Sequence, residues 1–209
     1  MRTSRSNAPL SLVVGARASD ADVARGLAAG EAWAIAAAWH RFAPMVLLTA
    51  ERSLGSRAEA EDVVQDVFYR VFRKANTLRD PDRLRSFIYS FTVRVLKSEL
   101  RRRRVRGWFP FLAAEPPVDM LSPASDFESR DLLTKLHALL DRLTPRDRLV
   151  FVLRRMESMT VEEIASTMDI SLSTVKRSMA HASSRLSRWV EADPGLAGLA
   201  RGEHWGRAR

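Results

Sequence analysis

The stretch TVEEIASTMDISLSTVKRSMAHASSRL, Thr160–Leu186, decides how this chain is read. Thr160 followed by Glu163 is a capping box, which opens a short helix carrying Ile164, Ala165 and Met168. Asp169 and Ile170 turn the chain, and Ser171 caps a longer helix with the apolar stripe Val175, Met179, Ala182, Leu186 and Trp189. A short helix with a small residue at its fifth position, a tight turn and a capped second helix is the helix-turn-helix pattern. Ala165 lets the two helices approach, and Asp169 stands where glycine is common, aspartate being tolerant of a left-handed backbone. The outer face of the second helix holds Ser173, Thr174, Lys176, Arg177, Ser178, His181 and Arg185, with no acid from Ser171 to Val190.

Upstream of this motif, Leu132, Leu133, Leu136, Leu139, Leu140 and Leu143 form one stripe, opened by a capping box of Ser125 and Glu128. Thr144-Pro145 then supplies a cap and a proline at the first helical position, with Asp147 in the first turn. Val105 to Ser125 breaks every pattern and holds Gly107, Pro110, Pro116, Pro117 and Pro123, the composition of a linker. Trp108, Phe109 and Phe111 at its start suit either a partner surface or a fold back onto the preceding domain.

The first half is helical too. Ser19 with Asp22 caps one helix, Gly30 ends it, and a second runs through Trp33, Trp39 and Phe42, is kinked or restarted at Pro44, and reaches Gly55. The two tryptophans are expected in the core. AEDVVQDVFYRVFRKA, Ala60–Ala75, pairs Val63, Val64, Val67, Phe68, Val71 and Phe72 every four residues, a strong amphipathic stripe. Its acids gather at the start and its bases at the end, as the helix dipole favours. After the turn Asn76–Pro81 comes RLRSFIYSFTVRVLKSELRRRRVR, Arg83–Arg106, with nine basic residues against one acid, Glu99. The net charge of the whole 209-residue chain is +9, so nearly all the excess sits in this one helix. A footprint of that kind suits phosphate neutralisation, the alternative being a solvated helix end.

The expected fold class is all-α: two small helical domains joined by a flexible Pro-rich linker, the second with a helix-turn-helix. The divisions are a mobile arm at 1–18, a first domain at 19–106, a linker at 107–124, a second domain at 125–193 and a tail at 194–209. The 46% hydrophobic content allows real cores, and the absence of cysteine excludes disulfides and thiolate metal sites. No apolar run approaches the ~20 residues that span a bilayer. The four histidines, His40, His137, His181 and His204, are scattered, and no Gly-rich phosphate loop or HExxH is present. No catalytic site, metal or cofactor is expected.

Two segments resemble the sigma factors of bacterial RNA polymerase, of the extracytoplasmic-function type. AEDVVQDVF with LRSFIYS (Leu84–Ser90) and the arginine run resemble region 2; Leu143–Leu186 resembles region 4. The resemblance implies a transcription initiation factor in the bacterial cytoplasm, partnered by core RNA polymerase through its β′ clamp helices and β flap, by promoter DNA, and in some settings by an anti-sigma factor. It places polymerase binding on Asp62, Gln65, Asp66, Tyr69 and Phe72. Reading and opening of the −10 element fall on Asn76, Arg79, Arg83, Arg85, Tyr89, Arg94, Lys97, Arg101 and Arg102, with Tyr89 stacking on an unpaired base. Reading of the −35 element falls on Ser173, Thr174, Lys176, Arg177, Ser178, His181 and Arg185. The family often has arginine-asparagine where this chain has Val93-Arg94, and aspartate where it has Ser98, which bears on −10 preference and melting. The competing reading is an ordinary helix-turn-helix regulator that binds duplex without polymerase.

Overall fold

A computed structural model describes residues 18–106 and 127–192. The N-terminal arm, the body of the linker with its three aromatics, the Ser125 cap and the tail lie outside the described residues. The elements are α1 (Asp20–Ala28), α2 (Ala32–Leu54), α3 (Arg57–Lys74), α4 (Leu84–Arg106), α5 (Phe127–Asp141), α6 (Pro145–Arg155), α7 (Val161–Met168) and α8 (Leu172–Ala192). Two 3₁₀ turns, Ala75–Thr77 and Pro81–Arg83, join α3 to α4. Among the described residues there is no strand.

Local chemistry sets most of the boundaries. Ser19 and Asp22 close a reciprocal capping box on α1, and Thr160 and Glu163 close another on α7. Ser56 and Thr144 each accept the N–H three residues on, starting α3 and α6. Gly55 ends α2 at φ 77°, and Asp169 ends α7 at φ 53°, the left-handed turn expected of it. Pro44 does not restart the helix: α2 runs unbroken from Ala32 to Leu54. Ala37, Ala38 and Phe42 before it and Val46 and Ala50 after it are all buried, so packing on both sides holds the proline in place against its lost hydrogen bond.

α3 lies along α2 and α4, burying Val63, Val64, Val67, Phe68 and Val71. Trp39 departs from the expected core position. It is 39% exposed and covers Phe68, ring centroids 4.9 Å apart, while Trp33 is half-buried. In α4 the buried set is Leu84, Ile88, Tyr89, Val93, Val95, Leu96 and Leu100. Phe87 and Phe91 pack at its edge.

The two halves share a core. Leu149, Val150 and Leu153 of α6, with Ile164, Ala165 and Met168 of α7, join the cluster built by α1–α4. The opposite side of α6 sends Phe151 into a second cluster with Leu139, Leu140, Leu143, Ala182, Leu186 and Val190. α6 is thereby buried on both sides, and Arg148 within it is 2% exposed.

Candidate nucleic-acid interface

The acidic face of α3 points outward. Asp62 and Gln65 are exposed, Tyr69 is 60% exposed, and Asp66 and Phe72 are half-buried. Asp66 takes both arms of Arg70, at 2.7 and 2.8 Å, and Tyr69 receives a hydrogen bond from Arg73 at 3.1 Å. These local pairs hold the face in a fixed pattern. Beside it, Trp39, His40, Ala43, Pro44 and Leu47 of α2 with Glu61, Val64 and Gln65 of α3 line a groove of about 430 Å³. An apolar groove with the Glu61 carboxylate in its wall and Asp62 exposed beside it on α3 suits a basic protein surface more than a nucleic acid.

The basic face of α4 is arranged differently from its sequence expectation. Asn76, Arg79, Arg83, Arg85, Arg94, Arg101 and Arg102 are exposed, and Lys97 is half-buried. Arg83 pairs with Asp80 at 3.2 Å and Arg102 with Glu99 at 2.6 Å. Tyr89, by contrast, is 6% exposed. Its hydroxyl donates to Glu157 at 3.2 Å, across a gap of 68 residues. Burial, and then the Glu157 carboxylate beside it, raise its phenol above the usual range. The ring can stack on a base only after the α6–α7 loop has moved away.

That loop is the structure's main addition to the sequence reading. Glu157, with a side chain 8% exposed, also accepts from Arg52 of α2 at 2.9 Å. Arg52 donates to the Met156 carbonyl at 2.6 Å as well. Ser158 sits at φ 56°, the left-handed region that a non-glycine residue rarely adopts. A carboxylate so buried is stable only because a guanidinium and a phenol meet it. Nothing local in the sequence marks Glu157, since both partners come from the other half of the chain.

In α8 the expected reading residues divide. Ser173, Lys176, Arg177 and His181 are exposed, and Thr174 and Arg185 are half-buried. The Ser171 hydroxyl takes the Thr174 N–H at 3.2 Å and lies 3.0 and 2.8 Å from the Ser173 and Thr174 hydroxyls. Arg185 lies over the Trp189 ring. Ser178 turns inward, 5% exposed, and with His181 serves Asp147 of α6, the His181 Nδ1 to carboxylate distance being 2.8 Å. Burial would raise the Asp147 carboxyl, but hydrogen bonds from His181, Ser178 and Thr144 outweigh it and hold the carboxyl below its ordinary 3.8. A depressed carboxyl contributes stability that is present above 3.8 and lost as pH falls through the folded value. Relative to Asp147→Asn, the wild-type protein is expected to melt higher at pH 5 and to lose that advantage progressively as pH falls below 3.8. A difference unchanged across this range would assign the stabilisation to shape, not charge.

The fold brings the two basic elements to one cleft of about 780 Å³. Lys97, Arg101, Arg104 and Val105 of α4 face Thr144, Pro145, Arg146 and Asp147 of α6 and Arg177, Ser178 and His181 of α8. The residues assigned to two promoter elements therefore share a wall in this arrangement.

Comparison with known proteins meets this geometry directly. Residues 38–106 match the family model for sigma-70 region 2, and residues 133–186 that for sigma-70 region 4. The ferric citrate uptake sigma factor FecI of Escherichia coli K12 is 33% identical over 134 residues, which span 63% of this chain and 76% of that one. The ECF RNA polymerase sigma factor SigE of Mycolicibacterium smegmatis is 31% identical over 136 residues, 64% of this chain and 52% of its own. Among solved structures, CnrH in complex with the cytosolic domain of CnrY shares the fold at a TM-score of 0.59 and 24% identity, over 83% of this chain and 98% of that one.

Proposed function

This chain belongs to the sigma-70 family of RNA polymerase sigma factors, and on that footing we propose how its surfaces divide the work of promoter-directed transcription initiation. The observation that carries the reading is the presence of both matched regions on one chain, in order, each displaying charge of the sign its partner requires. The domain divisions given above follow that order. The exposed face of α3, with Asp62, Gln65, Asp66, Tyr69 and Phe72, meets core polymerase. The 3₁₀ turns and α4 meet the −10 element, with Asn76, Arg79, Arg83, Arg85, Arg94, Lys97, Arg101 and Arg102 on bases and phosphates. Tyr89 joins them once uncovered. The α8 face meets the −35 element through Ser173, Thr174, Lys176, Arg177 and Arg185. Ser178 and His181 position that face through Asp147, and His181 also reaches DNA.

The protein opens DNA by binding the unpaired state, not by bond chemistry. Holding extruded bases against the protein offsets the few kcal/mol of unstacking. We place this activity in the cytoplasm, where the polymerase is. Among the described residues no helix is long and apolar enough to cross a membrane. An anti-sigma protein belongs among the expected partners.

The test is a pair of variants on the outward face of α3. Asp62→Arg with Gln65→Ala is expected to weaken binding to core polymerase about tenfold or more, equivalent to about 1.4 kcal/mol, while circular dichroism stays unchanged. Promoter-specific transcription should fall in step. Wild-type affinity for core in the double variant would move the polymerase contact elsewhere. Promoter selection by the purified chain without core would favour the ordinary regulator.

A further inference from the structure

Next to the large cleft, where α4 passes the start of α6, lies a second cavity of about 410 Å³. Leu100, Arg103 and Arg104 of α4, Asp141 of α5, and Leu143, Pro145 and Arg148 form its walls. Arg148 is the unusual member. Its Nη1 donates to Asp141, but its Nε and Nη2, buried with it, have no acceptor. A buried cation with idle donors is costly, and the cost falls when an anion supplies the missing acceptors.

The surroundings favour an anion as well. The first turn of α6 presents its positive end here, with Thr144 at the cap and Pro145 first. The larger cleft shares Arg104 and Pro145 with this cavity and adds Lys97, Arg101, Arg146 and Arg177. The nearby acids are engaged: Asp141 by Arg148, Asp147 by His181 and Glu59 by Arg103. Among the described residues no ion pair engages Arg101, Arg104, Arg146 or Arg177.

We propose that the two adjoining cavities, which share Arg104 and Pro145, bind linked phosphates, the chemistry of a nucleoside polyphosphate or an inorganic polyphosphate chain. One phosphate sits by Arg104 and Arg148, and the chain runs on toward Arg101 and Arg146. Because the cations come from α4 on one side and from α6 and α8 on the other, the bound anion ties the two halves together. The binding itself does not rest on the assignment of promoter contacts.

The experiment uses the full chain without polymerase or DNA. Calorimetric titration with inorganic tripolyphosphate, and separately with ATP, near physiological salt is expected to give one site per chain with a Kd of about 10–100 μM. The melting temperature should rise with ligand. Arg104→Gln combined with Arg146→Gln, both exposed positions, should weaken binding about tenfold or more. Arg25→Gln, on α1 and outside both cavities, should leave it unchanged. Tighter binding of ATP than of tripolyphosphate identifies a nucleoside polyphosphate; equal affinity identifies the phosphate chain alone, and either result upholds the site. Three outcomes overturn it: no binding at about 1 mM, several weak equivalents per chain, or an equal loss in Arg25→Gln. A short single-stranded oligonucleotide binding more tightly than ATP through the same arginines would also overturn it, giving the cavity to DNA backbone.

Discussion

Glu157→Lys is expected to part the two halves of the free protein. The carboxylate is 8% exposed and meets both Arg52 and the Tyr89 hydroxyl, so a lysine there places an ammonium against a guanidinium. Removing one partner of a fully buried pair costs about 3–5 kcal/mol. Arg52 is 35% exposed, which lowers the expectation to about 2 kcal/mol, roughly a 30-fold shift toward the open form. Small-angle scattering should show a larger radius of gyration. Tyr89 becomes accessible in the same step, so affinity for single-stranded DNA of −10 type should rise while duplex affinity of α8 changes less. Glu157→Gln, which keeps an acceptor, should have a smaller effect in the same direction. An unaltered radius in Glu157→Lys would mean that the apolar contacts of α6 and α7 hold the seam unaided.

Phe68→Ala is expected to be the most damaging single truncation in the first half. Phe68 is 1% exposed and touches Trp39 at 4.9 Å and Phe72 at 5.5 Å between ring centroids. Phenylalanine-to-alanine changes in such sites cost about 3–5 kcal/mol, from lost transfer free energy and the cavity left behind. Trp39 covers the site from solvent and Phe72 packs beside it, so the ring's removal leaves a cavity between two aromatics. Urea unfolding followed at 222 nm should show the loss, and Phe68→Leu should recover more than half of it. A loss below about 1 kcal/mol would show that the ring is not a core element. The same helix displays Asp62, Gln65 and Tyr69 on its far side, so polymerase affinity should drop with stability.

What was legible in the sequence follows from how far each signal reaches. The caps at Ser19, Thr144 and Thr160 depend on atoms three residues away, and each forms as read. The valine and phenylalanine stripe of α3 repeats within one helix, and it is buried as its spacing requires. Asp169 needs only its own backbone, and adopts the left-handed turn. Tyr89 reads as an exposed aromatic because α4 alone does not show that α6 and α7 lie over it. Trp39 reads as core because size and apolarity favour burial, yet its place on the rim of α2 leaves it half covered. Pro44 reads as a kink or a restart because the local cost is real, and the helix runs on through it without restarting because residues on both sides of it are buried. The candidate polymerase face was legible as a helix face, whereas the shared cleft of Lys97, Arg101, Arg146 and Arg177 was not, for it joins positions that no periodicity relates.

Residues 107–126 connect α4 to α5, and about twenty residues drawn out fully reach no more than about 70 Å. One turn of duplex is about 35 Å. Once the seam of Glu157 and the apolar contacts of α6 and α7 has parted, the basic helix and the α8 face can be set about two turns apart along a DNA rod, yet neither can diffuse away from the other. The molecule works as a pair of calipers: its widest setting is fixed by chain length, and its closed setting is held by a shared apolar core with one carboxylate, Glu157, as its polar latch.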